Sequence, residues 1–153
     1  MTSGPRILFA SFADVKAKSA MWSGHSELVR GIPDVEFVMS SGPFIVWQLV
    51  TANGRSIARA VSGFSSFEDA DRDARYVVCG SDTLQVEMVT NPISGMHGWA
   101  ARLGGEYVAV CSRWYASERD SCNASSLAIA SLPVAQIATS SHFIGLMPRS
   151  VSA

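Results

Sequence analysis

Asn53-Gly54, set between two runs of alternating apolar residues, constrains the fold of this chain more than any other pair. Asn and Gly tolerate the positive φ that a tight two-residue turn demands, so WQLVTA and RSIARAVSGF are expected to pair as an antiparallel hairpin. Alternation in the second run puts Ile57, Arg59 and Val61 on one face and Ala58 and Ala60 on the other. Ser66 then supplies an N-cap, and Asp69 brings negative charge to the first turn of the helix that follows. Phe67, Ala70, Ala74, Val77 and Val78 fall on one stripe of that helix, while Glu68/Arg72 and Asp71/Arg75 are spaced to pair on its wet side. The stripe must pack on the hairpin. Trp47, sharing a strand face with Ile45 and Leu49, is expected to be structural.

Sliding the sequence on itself by 51 positions brings looser copies of these landmarks into register. Val35 to Val38 falls on Val86 to Val89, Asn53-Gly54 on Gly104-Gly105, Ile57-Ala58 on Val108-Ala109, Phe64 on Tyr115, and Ser66/Asp69 on Ser117/Asp120. Trp47 matches Trp99 once one residue is dropped before the second turn. The second helix is expected from Ser117 to about Ser131, stopped by Pro133, with Val134 to Thr139 as its closing strand. After Asp120 that helix carries no charge, which predicts cover on most sides, from within the chain or from a second copy.

Arg6 to Phe12 reads as a strand, Asp14 to about Val29 as a weak helix carrying Ala17, Ala20, Met21 and Leu28, and Asp34 to Met39 as a closing strand. Ser140 to Ile144 echoes Ser40 to Ile45, which predicts that the C-terminal segment lies beside Arg6 to Phe12, with Phe143, Ile144, Leu146 and Met147 covered. The expected organisation is a single domain over 1–153 with internal repeats at about 35–90 and 91–139. Segments 1–34 and 140–153 would form an incomplete further copy.

ANGRSIARAVSGFSSFEDADRDA and, more weakly, GGEYVAVCSRWYASERDSCNA resemble the YegP-like family of small bacterial proteins. The shared pattern is a strand, a small-residue turn, a strand with Ile-Ala, an aromatic followed by Ser, and a helix with Ala or Asn at set offsets. Asn123 matches the helix Asn; Arg72 departs from it, and the resemblance covers only residues 44 to about 139. It implies an α+β fold of tandem β3-α-β repeats on one mainly antiparallel sheet, helices on one face, with exchanged closing strands. The resemblance transfers no catalytic residue.

At 153 residues with a net charge of −1, the chain can bury a core without staples, and it has no run of Lys or Arg. Nucleic acid and anionic membranes are therefore not expected as partners. Its longest apolar runs fall far short of a membrane span, and no leader segment is evident. Cys79, Cys111 and Cys122 are odd in number and lack metal-binding spacing, and His25, His97 and His142 are scattered singly. The expectation is reduced thiols in a cytoplasmic protein, no disulfide, no metal and no cofactor.

Trp22, Trp47, Trp99 and Trp114 read as strand anchors, with a ligand groove as the competing reading. Arg59, Arg102 and Arg113 lie on or beside strands, where a sheet face without helices would present them to solvent or to a carboxylate or phosphate. Arg59, Trp99, Arg102 and Arg113 are thus the candidate ligand-binding residues. Two functions follow: a binding or protein-interaction module, homo-oligomeric or with a protein partner, and, as the alternative, an enzyme with a Trp/Arg-lined groove.

Overall fold

The hairpin around Asn53-Gly54 is present, but its turn differs from the expected one. In the computed structural model, which describes residues 4–12 and 44–143, Gly54 alone takes a positive φ, 85°. Thr51 accepts from the Gly54 amide at 2.8 Å and donates to the Arg55 carbonyl at 2.9 Å, and the register shifts at Leu49/Val50. This is a turn closed by a left-handed glycine with a bulge, in which Asn53 need not leave ordinary backbone space. The tight two-residue turn occurs instead at Gly104-Gly105, where both φ values are positive.

Seven strands and two helices follow the chain as β1 (Arg6–Phe12), β2 (Phe44–Val50), β3 (Ser56–Ala60), α1 (Phe67–Cys79), β4 (Gln85–Thr90), β5 (His97–Leu103), β6 (Glu106–Cys111), α2 (Glu118–Ser131) and β7 (Gln136–Phe143). A short 3-10 turn follows each helix, Ser81–Thr83 and Leu132–Val134, the second containing Pro133. The strands form one sheet in the order β4-β5-β6-β3-β2-β1-β7. Every neighbouring pair is antiparallel except β1 and β7. The fold is α+β on a mainly antiparallel sheet.

Both helices start as the sequence dictates. Ser66 Oγ accepts from the Asp69 amide at 3.1 Å and Ser117 Oγ from the Asp120 amide at 3.0 Å, each satisfying an amide that the first helical turn leaves open. On the wet side of α1 Arg75 pairs with Asp71, as expected, while Arg72 pairs with Asp69 at 3.0 Å and not with Glu68.

Register links the two helices to one face of the sheet. Trp47 lies one position before Gln48, which opposes Arg59, so it shares a face with Ala60. Ala60 opposes Ala109, Ala109 opposes Ala101, and Ala101 opposes Val86. α1 bonds this face through Asp73 to Trp47, and α2 through Ser121 to Met88, two positions beyond Val86. Alanines at the centre let the helices approach closely, and Ala70, Ala74, Val77 and Ala128 are buried against them.

The strands after the helices do not return to their own hairpins. β4, which follows α1, pairs with β5, and β7, which follows α2, pairs with β1. β1 thereby stands beside β2 where β4 stands beside β5. Ile7 and Phe9 in β1 are fully buried, Phe9 edge-on to Phe67 at 4.8 Å between ring centroids. Each such side chain stabilises by about 1.5–3 kcal/mol. Residues 140–143 extend β7, longer than the closing strand expected, and Ser141, His142 and Phe143 align with Phe9, Ala10 and Ser11. The expected helix at Asp14–Val29, the strand at Asp34–Met39, and the side chains of Phe143, Ile144, Leu146 and Met147 lie outside what is described.

The face away from the helices is not a solvated one at its centre. Ala10, Val46, Val50, Val110 and Ala100 are buried, and Arg59 among them is only 7% exposed.

Candidate functional site

The loop from Val61 to Ser65, α1 and the start of β6 border a cleft of about 770 Å³. Asp69, Arg72, Asp73 and Tyr76 line it at helical spacing from α1, facing Glu106, Tyr107 and Val108. The loop is shaped by a lone pairing of Ile45 with Phe64, which exchange amide–carbonyl bonds of 2.7 and 2.8 Å and turn the chain out of β3 into the Ser66 cap.

Asp73 is the most distinctive group in the lining. Its Oδ2 accepts from the Trp47 indole nitrogen at 2.7 Å, a bond that fixes the carboxyl against the sheet. Partial burial pushes the Asp73 carboxyl above its ordinary range, and the indole bond only partly opposes this. Arg72, the guanidinium of the lining, is engaged by Asp69, and both side chains stand at the exposed rim. Tyr76 is 55% exposed there.

The four residues expected to bind ligand are not part of this cleft. Arg59 is buried between Gln48 and Val110, and desolvation lowers its pKa to about 10 even though Cys111 acts to raise it. Its expected exposure to solvent is corrected: the sheet centre is covered on that side. Arg102 lies in β5, its guanidinium 2.8 Å from Glu87, donating to the Tyr107 hydroxyl at 2.9 Å and stacked 4.4 Å over that ring. Tyr107 donates in turn to Glu87 at 2.8 Å, so the three side chains close on one another. Arg113 is exposed beyond β6 and lies over the Tyr115 ring at 5.6 Å. Trp99 is 1% exposed, and its indole nitrogen meets no acceptor among the described residues.

None of the three cysteines is in a disulfide; Cys79 and Cys122 are exposed on the helices and Cys111 is buried. Burial raises the Cys111 thiol pKa against several opposing contacts, the Trp99 amide first, whose N–H donates to Sγ at 3.4 Å. A thiol held in its neutral form is a poor nucleophile. His25 and Trp22 lie outside the described residues.

Sequence reasoning missed Asp73. Its signal was a charged residue flanking the apolar stripe, three positions after Ala70 and four before Val77, where a side chain meets the sheet edge-on. Compared with known proteins, the chain matches no protein-family model, and neither a curated protein nor a solved structure shows significant similarity to it. Among the described residues no helix is long and apolar enough to cross a membrane.

Proposed function

We propose that this protein is a small binding module whose ligand site is the cleft between α1, the Val61–Ser65 loop and β6. The observation that carries this reading is the cleft itself, of a volume typical of small-molecule sites and floored by a carboxyl that the sheet orients through Trp47. Membership of the YegP-like family as a tandem repeat belongs to the same proposal. It is supported by the matched caps Ser66 and Ser117, the matched lone pairings Ile45–Phe64 and His97–Tyr115, and the crossing of β4 to β5.

A second reading, association of two copies through α2, is favoured by its uncharged outer side, where Cys122, Asn123, Ser126 and Leu127 are exposed, with Val134 just beyond. The Trp/Arg-groove enzyme has no comparable support, because Arg59 and Trp99 are buried and Arg102 is engaged. The test is a fragment panel read by NMR on the Trp47 indole N–H, assigned through Trp47→Phe. Saturable shifts of that signal support the module, and a panel that leaves it unmoved overturns it. Light scattering checks the second reading; a monomer at all concentrations removes it.

A further inference from the structure

Resting on the cleft as the binding site, we infer that its ligand class is the small organic cation, an amine or guanidine. The charge of the lining decides the sign. Arg72, the one basic residue of the lining, is offset by Asp69 at 3.0 Å, which leaves the lining with an excess of negative charge. Asp73 and Glu106 remain as negative groups facing it from two walls, α1 and β6. Asp73 is oriented rather than mobile, with one oxygen fixed by the Trp47 indole, and a fixed acceptor loses little freedom when it binds. Tyr76 and Phe64 add aromatic surface, which attracts cations at its faces.

Burial strengthens the attraction, because a partly desolvated carboxylate interacts with a cation more strongly than one in bulk water. The same burial makes the site sensitive to acid. The charged and titratable groups that share the cleft with Asp73 are Asp69, Arg72 and Tyr76 on α1 and Glu106 on β6, with the Trp47 indole of β2 on its carboxyl, while the Tyr107 hydroxyl is turned to Glu87. As pH falls through the raised Asp73 pKa, the carboxyl takes up a proton and the cation is released.

The experiment titrates the full chain with agmatine, with glutarate as an anion and pentane-1,5-diol as a neutral compound, reading the Trp47 indole N–H. Agmatine alone should shift the signal, more weakly at high salt and at acid pH. Asp73→Asn keeps an oxygen for the indole and should weaken agmatine by about 10- to 100-fold. Glu106→Gln, at an exposed position, should weaken it by about 2- to 5-fold. A blocked Gly-Arg-Gly tripeptide binding more tightly than agmatine would assign the cation to a protein side chain, and weaker binding would assign it to a free molecule. If glutarate or the diol shifts the signal and agmatine does not, the ligand class is overturned and the cleft stands. If agmatine fails and the fragment panel also fails, both fall.

Discussion

The Trp47 indole nitrogen in β2 donates to Asp73 Oδ2 in α1 across 2.7 Å, joining the sheet to the helix at the floor of the cleft. Trp47 is fully buried, so its ring and its hydrogen bond make separable contributions. Trp47→Ala should destabilise by about 3–5 kcal/mol. Trp47→Phe keeps most of the volume and should lose about 1 kcal/mol for the bond. Chemical denaturation measures both; equal losses would mean that the bond, not the ring, dominates.

Asp73 should leave a signature in the pH dependence of stability. Its folded pKa is raised, so the folded state binds this proton more tightly than the unfolded chain does. The resulting stabilisation is present below the ordinary Asp value of about 3.9 and is lost as pH rises through the raised folded value. Relative to Asp73→Asn, the wild type should therefore lose stability over that window and run parallel to the variant above it. Denaturation of both proteins from pH 3 to 8 gives the difference curve, and a flat one refutes the assignment.

Trp99 lacks what Trp47 has. Fifty-one positions after Asp73 the chain carries Ala124, which packs against the core from α2 and offers no acceptor. Ala124→Asn should bring an oxygen to the buried Trp99 indole and stabilise by about 1 kcal/mol. A higher melting temperature with a displaced Trp99 indole signal is the expected result; a lower one would show that α2 lies too close for the longer side chain.

Gly98 is required by packing and not by backbone conformation. A Cβ there would lie 2.8 Å from the Trp114 ring and 2.9 Å from Cys111 Sγ. Gly98→Ala should destabilise by about 1–3 kcal/mol. Gly80→Ala meets only the ends of the Leu103 side chain, which can turn aside, and should cost less. Thermal unfolding of the two variants compares them directly.

What could be read in the sequence was local. Ser66 and Ser117 announce their helices because a cap acts within three residues, and RILFASF announces a strand by its own composition. That the C-terminal segment lies beside this strand was legible only through the echo of Ser40 to Ile45 in Ser140 to Ile144, and β7 does pair with β1, whereas the pairing of β1 with β2 depends on partners far along the chain and leaves no local mark. The burial of Arg59 was missed for the same reason: alternation gives the face of a strand but not what covers it. The cleft was missed because it is a gap between three elements, and only the contact between Asp73 and Trp47 shows which side of α1 borders it.

β1 also sets a timetable. Its pairing with β2 is available once residue 50 has left the ribosome, whereas its opposite edge waits for residues 136–143. At about 5–20 residues per second, the nascent chain carries that edge unpaired for on the order of ten seconds. Along RILFASF the single charge is Arg6, scant protection for an apolar strand edge. Losses of this protein to aggregation should therefore occur during synthesis, so slower translation should lower its soluble yield while leaving the purified, folded chain as soluble as before.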